Sequence, residues 1–113
     1  GILSPCLAGE AMRKLLRDKT LPDVLIANND YMALAAMAQA VKSGIRVPEQ
    51  MKFVGFDGIP ESGYLQPSLT TFFVPPEAIV EKLISLLFRR LENPDADFIS
   101  LSLMPELLIR DSI

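Results

Sequence analysis

The sequence predicts an α/β fold in which a parallel sheet is flanked by helices. Two apolar runs of strand length, 23–27 and 52–56, lie on either side of a helical segment at 31–43. A strand, a helix and a second strand in this order form a β-α-β unit, whose crossover makes the strands parallel. Half of the 113 residues are apolar types, which suits one core.

The chain is expected to begin with a surface helix over 8–18. Its apolar residues recur at helical spacing and form one stripe, which consists of Ala8, Ala11, Met12, Leu15 and Leu16. The run at 23–27 that follows is continuously apolar, a pattern typical of a strand buried on both faces of a parallel sheet.

The segment 31–43 predicts a second helix that ends at Gly44, with Pro48 shortly beyond. It is rich in Ala, Met and Leu, and its polar residues are confined to Gln39, Lys42 and Ser43. A helix that is apolar nearly all round must be covered on more than one face. A sheet with a neighbouring helix, or another subunit, would provide that cover.

Turn-forming residues fill the stretch 58–68 and predict an ordered loop there. The β-branched and aromatic run 69–74 predicts a third strand, and Pro75 and Pro76 start a helix that extends to Glu92. Short strands are expected around Pro105, at 99–104 and 106–110.

Charge and composition exclude several classes of function. The net charge of −3 and the pI of about 4.8 would repel a phosphate backbone, so this chain is not expected to bind DNA itself. Histidine is absent, which removes Ser-His and Cys-His dyads, and no cofactor or metal is predicted. Cys6 is the single cysteine and no apolar run is long enough for a membrane span, so the cytoplasm is the expected location. Because no Met stands at the start, the chain looks cut from a longer one.

Polar residues follow the first two predicted strands. Asn28, Asn29 and Asp30 follow the first, and Asp57 follows the second. Ligands of parallel α/β sheets bind outside the carboxyl ends of the strands, where these residues are expected to lie side by side. Amides and a carboxylate suit a ligand with many hydroxyl groups. Helix capping by Asn29 or Asp30, and a turn role for Asp57, are the alternatives.

V-G-F-D-G-I-P-E-S-G-Y-L-Q-P-S-L-T-T at 54–71 combines a G-[FY]-D strand end with a P-x-L-T-T strand. In this it resembles the lactose-repressor/galactose-repressor (LacI/GalR) family of transcription regulators. N-D-Y-M-A at 29–33, G-I-R-V-P at 44–48 and M-P-E-L-L-I-R at 104–110 resemble further family motifs in the same order. The resemblance implies the C-terminal part of a type I periplasmic-binding-protein-like effector domain.

The resemblance also implies site residues. Asp57 and Asn29 would line the effector cleft, and Leu3 would lie near it, with a buried apolar anchor as the alternative role for Leu3. Asn28, a further candidate, stands where many members have a small residue, and Gly58 where a second Asp or Asn is frequent. Both departures leave the identity of the ligand open.

A homodimer is implied as well, through the helix 31–43 and the loop 61–66. The interface candidates are Leu34, Met37, Ala38, Val41, Tyr64 and Leu65. The alternative for the loop is that it folds onto its own domain.

The family's chain crosses between two subdomains, and this implies a division within the present sequence. Residues 1–71 and 99–113 would belong to the C-terminal subdomain, and 72–98 would provide a crossover strand and helix of the N-terminal one. The apolar stripe of helix 76–92 would then lack its natural cover, and the chain is expected to be marginally stable alone.

Three functions remain at this point. The first is an effector-sensing module of a repressor, which binds a sugar-like small molecule and controls DNA binding through an N-terminal helix-turn-helix outside this chain. The second is a lobe of a periplasmic sugar-binding protein of a transporter. The third is an α/β enzyme that uses Asp30 and Asp57 as acid and base, and no catalytic residue is assigned because the pair alone is weak support.

Overall fold

The computed structural model describes residues 4–113, in which helices and strands alternate over much of the chain. The elements, in order, are α1 (Pro5–Arg17), β1 (Val24–Ile26), α2 (Asp30–Lys42), β2 (Lys52–Phe56), a short 3₁₀ helix (Pro60–Gly63), β3 (Thr70–Phe73), α3 (Pro76–Glu92) and β4 (Glu106–Leu108). The predicted order of helices and strands is confirmed as far as α3, and the 3₁₀ turn lies within the predicted loop.

Helix α1 begins at Pro5, earlier than the apolar periodicity predicts. Ser4 is the N-cap, and its side chain accepts a hydrogen bond from Leu7 N–H at 3.3 Å. Proline is well suited to the first helical position, because its missing N–H would have no partner within the helix anyway. The Ser4-Pro5 pair therefore starts the helix ahead of its apolar stripe.

The core lies between the two first helices and one face of the sheet. Its fully buried or nearly buried members are Met12, Ala33, Ala36, Met37, Ala40, Met51, Phe53 and Leu69. The small alanines of α2 let that helix approach both α1 and the sheet, while Phe53 and Leu69 supply the volume. Each large apolar side chain buried here contributes roughly 1.5–3 kcal/mol.

The sheet has the order β1-β2-β3-β4, and both pairs whose register is established are parallel. Ile26 lies opposite Val54 on β2, and Phe56 lies opposite Phe72 on β3. The predicted β-α-β unit is therefore confirmed. Its consequence is that the carboxyl ends of β1 and β2 lie at one edge.

Strand β1 is not buried on both faces, contrary to the expectation from its continuous apolar run. Leu25 packs against the core, whereas Val24 and Ile26 point to the other face and are exposed, Ile26 by 71%. Side chains alternate between the faces of a strand, and in the described residues only the face of Leu25 packs against the core cluster.

The prediction of a strand at 99–104 is wrong, and the predicted strand 106–110 is shortened to β4. Leu101, Leu103 and Met104 are exposed. Strand propensity mostly reflects packing against neighbouring strands, so an apolar run without such neighbours stays irregular.

A network of polar side chains ties the end of the chain to β2 and β3. Ser112 is fully buried; its hydroxyl donates to Phe53 O at 2.6 Å and accepts from Thr70 N–H at 2.8 Å. Arg110 donates from its guanidinium to Ser62 Oγ and to Leu69 O, and its backbone N–H donates to Thr70 Oγ1 at 2.9 Å. The Arg of the terminal motif and the first Thr of L-T-T therefore have structural roles.

The chain divides into two compact units. One includes the chain as far as Phe73 together with Leu107–Ile113, and the other is Val74–Glu106. In the second unit the guanidinium of Arg90 donates to Ala96 O at 2.6 Å and lies 4.8 Å from the ring centre of Phe98. No residue of α3 is buried, and its apolar stripe is exposed.

Candidate functional site

The predicted ligand residues Asn28, Asn29 and Asp57 lie at the carboxyl edge of β1 and β2. Since Ile26 is opposite Val54 in the parallel register, the residues that follow β1 are level with the end of β2. The structure thus brings the amides and the carboxylate to one edge of the sheet, as the sequence predicts. Leu3, the fourth candidate, lies outside the described residues.

Asn29 is the N-cap of α2. Its backbone is extended, and its side-chain Oδ1 accepts a hydrogen bond from Met32 N–H at 2.9 Å. The carbonyl oxygen of the amide is therefore engaged, while its NH₂ group is a donor suited to a ligand hydroxyl. Capping and ligand binding, weighed as alternatives for this residue, are compatible.

Asp57 is an exposed residue in a backbone conformation that side chains rarely adopt. Its φ is 112°, and its N–H donates to Phe72 O at 2.9 Å. Partial desolvation, with a smaller contribution from the negative charge of Asp30, raises the pKa of the Asp57 carboxyl above its ordinary value of 3.8. A carboxylate held in this way can accept hydrogen bonds from hydroxyl groups at the edge of the sheet.

Asp30 is not the cap of α2, because Asn29 takes that role. The Asp30 side chain is fully buried and accepts two hydrogen bonds, from Ile59 N–H at 2.9 Å and from Thr71 Oγ1 at 2.5 Å. Sequence reasoning missed this role. The signal present in the sequence was the Gly55 of G-F-D, which leaves room for the carboxylate.

Asn28 lies in a bend two residues after the end of β1 and is exposed. Its position at the edge keeps it available to a ligand. Its side chain makes no contact that would assign it a structural role among the described hydrogen bonds.

The predicted interface residues largely surround one groove of about 310 Å³ on the outer side of α2. Leu34, Met37, Ala38, Val41 and Leu65 line it, together with Lys42, Gln66 and Pro67. Met37 also belongs to the core and is 4% exposed, so its free surface is small. Tyr64 is 82% exposed on the same loop and does not line the groove. The helix and the loop of the predicted interface therefore form one apolar surface.

None of the helices within residues 4–113 is long and apolar enough to cross a membrane.

Comparison with known proteins identifies a family and a curated relative. The family model of the periplasmic binding protein-like domain matches residues 4–113. The HTH-type transcriptional repressor PurR of Pasteurella multocida is 34% identical over 113 residues, which are 100% of this chain and 34% of that protein. The chain thus spans about a third of the length of this curated relative.

Two solved structures of LacI-type regulators also resemble this chain in fold and sequence. A LacI-type transcription regulator from Bifidobacterium animalis superposes with a TM-score of 0.88 at 32% identity, over 99% of this chain and 40% of the other. A LacI family regulator from Arthrobacter in complex with lactose superposes with a TM-score of 0.86 at 29% identity, over 96% and 41%.

Proposed function

The chain belongs to the periplasmic binding protein-like domain family, in the form found in LacI-type regulators, and from this membership we propose that it is part of the effector-sensing region of a transcription repressor. In this function a small molecule binds at the carboxyl edge of the sheet and shifts the balance between two arrangements of the intact protein. DNA binding changes in response.

The observation that carries the proposal is the placement of Asn29 and Asp57 at one edge of the sheet. The amide NH₂ of Asn29 donates and the carboxylate of Asp57 accepts, a combination suited to vicinal hydroxyl groups. Asn28 adds a further amide. A sugar-like effector fits these groups, and the Arthrobacter regulator in complex with lactose supports that class of ligand.

DNA recognition is proposed to reside outside this chain. The chain carries a net charge of −3, which disfavours contact with phosphates. The PurR relative is an HTH-type repressor about three times as long, so we assign operator binding to a helix-turn-helix in another part of the intact protein. A repressor of this kind works in the cytoplasm.

The two other functions have less support. A transporter's sugar-binding protein shares this fold class, but the relatives and structures described above are transcription regulators. An enzyme with Asp30 and Asp57 as acid and base is disfavoured by the burial of Asp30, whose two carboxylate oxygens both accept hydrogen bonds from the protein.

We also propose that the intact protein is a homodimer and that the groove beside α2 lies in its interface. The groove is apolar, and it combines Val41 and Ala38 of α2 with Leu65 of the loop. A two-fold interface places the same surface of both subunits together, so that the apolar groove of one subunit can pack against the same groove of the other.

The test is a thermal-shift screen of the intact protein with lactose, nucleosides and sugar phosphates. A ligand present at a hundred times its dissociation constant adds about 2.7 kcal/mol of stability. Asn29→Asp keeps an oxygen for the helix cap and removes the amide donor, and Asp57→Asn removes the negative charge at nearly constant shape. We expect both variants to reduce the shift, whereas Asn93→Ala, a control at the end of α3, keeps it.

Two results would contradict the proposal. An undiminished shift in both variants would exclude the assigned site. The absence of a shift with every sugar in the screen, in a protein that still binds its operator, would exclude a sugar-like effector.

A further inference from the structure

The buried carboxylate of Asp30 holds the backbone immediately after Asp57. Ile59 N–H donates to Asp30 Oδ2 at 2.9 Å. Gly58 N–H donates to Thr71 Oγ1 at 3.3 Å, and this hydroxyl donates in turn to Asp30 Oδ1 at 2.5 Å. Two consecutive N–H groups therefore depend on Asp30, one directly and one through Thr71.

Asp57 needs such support because of its own backbone. A φ of 112° is rare for a residue with a side chain and persists only where the surroundings impose it. On the preceding side, Asp57 N–H is fixed by Phe72 O at 2.9 Å. On the following side, the links to Asp30 hold the next two residues. The unusual conformation is thus constrained from both directions.

The packing around Asp30 makes this constraint rigid. The side chain is fully buried, as is Thr71. A β-carbon at Gly55 would overlap the Asp30 carboxylate, so the glycine of G-F-D leaves the space that the carboxylate fills. The Asp30 side chain is enclosed by β2, β3 and the loop and has little freedom to move.

We propose that Asp30 is a positioning residue, which sets the backbone of Asp57 so that the Asp57 carboxylate points to the ligand edge of the sheet. The proposal rests on the proposed function, which gives Asp57 its role in ligand binding. Asp30 itself is buried and acts only through Asp57. Asp30, the second residue of N-D-Y-M-A, would thus belong to the binding site although it does not contact the effector.

Substitutions at Asp30 and Thr71 separate this role from general stability. Asp30→Asn keeps one carbonyl oxygen for Ile59 N–H, and its NH₂ can donate to Thr71 Oγ1, whose own hydrogen can turn to Phe72 O at 3.3 Å. Asp30→Ala removes both acceptors. Thr71→Val removes the acceptor of Gly58 N–H and the donor to Asp30 Oδ1, but it keeps the bond from Ile59 N–H to Asp30 Oδ2, and it serves as a second variant if Asp30→Ala does not fold. Met12→Ala is the control, because it weakens the core on α1.

The first readout is amide hydrogen exchange of Gly58 and Ile59 in the intact protein, which needs no ligand. In Asp30→Ala, we expect both amides to exchange at least about tenfold faster, relative to the amides of β2. In Thr71→Val, we expect faster exchange at Gly58 but not at Ile59. Asp30→Asn should resemble the wild type. In Met12→Ala, these two amides should change no more than the rest of their unit.

The second readout is the affinity for lactose, measured by calorimetry on the same proteins. Loss of binding in Asp30→Ala, with retention in Asp30→Asn and Met12→Ala, supports positioning. Unchanged exchange of Gly58 and Ile59 in Asp30→Ala, or wild-type affinity once they exchange rapidly, would overturn it. If the wild type does not bind lactose, lactose is not its effector, and the exchange data still decide whether Asp30 holds the loop.

Discussion

The Asp30 carboxylate lies directly against the backbone of Gly55, where any β-carbon would overlap Asp30 Oδ1. The Cδ2 atom of Leu69 would lie 3.0 Å from the same β-carbon. Both neighbours are fully buried, so neither can move aside without disturbing the core. Gly55, the fourth residue of β2, is therefore required by Asp30, the residue that begins α2.

Gly55→Ala is expected to destabilise the protein by about 1–3 kcal/mol or more, because overpacking of this kind forces shifts in a close-packed interior. Denaturant unfolding measures the loss. Gly9→Ala is the matched control, since its β-carbon would lie 3.9 Å from the Ala35 carbonyl oxygen. Alanine within a helix is more favourable than glycine by about 1 kcal/mol, so this control should stabilise. Equal effects of the two substitutions would contradict the packing of Asp30 against Gly55.

The ionised form of Asp57 is expected to weaken the fold at neutral pH. Desolvation, and then Asp30, raise the pKa of Asp57 in the folded protein above 3.8. The folded state therefore binds this proton more tightly than the unfolded state. The corresponding stability is fully present below 3.8 and is lost as the pH rises through the folded pKa.

Asp57→Asn removes that titration and should be more stable than the wild type at about pH 7, with the difference vanishing near pH 3. Asparagine also tolerates a positive φ. Urea midpoints of both proteins across this range provide the measurement. A difference that is constant with pH would show that the charge of Asp57 has no such effect.

Ser112→Ala is expected to cost about 1–3 kcal/mol of unfolding free energy, because it leaves Phe53 O and Thr70 N–H buried without their partner. Ser102→Ala changes an exposed serine and should stay within about 0.5 kcal/mol of the wild type. Urea unfolding compares the two. If they match, the Ser112 hydroxyl does not stabilise β2 and β3.

Val41→Glu is expected to weaken the proposed homodimer at least about tenfold. In a two-fold interface, each subunit would place its new carboxylate against the apolar groove of the other, so that two charges would be buried. Sedimentation velocity of the intact protein at micromolar concentration tests this. Ala11→Glu, on the exposed side of α1, adds the same charge elsewhere and should leave the dimer intact. A wild type that is monomeric would refute the interface outright.

Leu83→Ala, in the exposed stripe of α3, should change the stability of this chain by less than about 0.5 kcal/mol, whereas Met12→Ala should cost about 2–5 kcal/mol. The contrast follows from burial alone. Thermal unfolding of the two variants measures it. A large effect of Leu83→Ala would mean that α3 packs against a surface in solution.

The sequence by itself determined the β-α-β order and the edge at which the ligand candidates lie. Both follow from short-range patterns: helical spacing in α1 and α3, apolar runs at β1 and β2, and polar residues placed directly after strands. Parallel pairing of β1 and β2 then brings Asn29 and Asp57 to one edge without further information. The family motifs added the expected roles of these two residues.

Only the tertiary structure decided which face of β1 is covered and what Asp30 and Arg110 do. The partners of Asp30 are Ile59 and Thr71, far away in the chain, and those of Arg110 are Ser62, Leu69 and Thr70. Local propensity does not encode such pairs. Burial makes these hydrogen bonds necessary, because a buried polar group without a hydrogen-bond partner is energetically costly. Which residue is that partner depends on the fold.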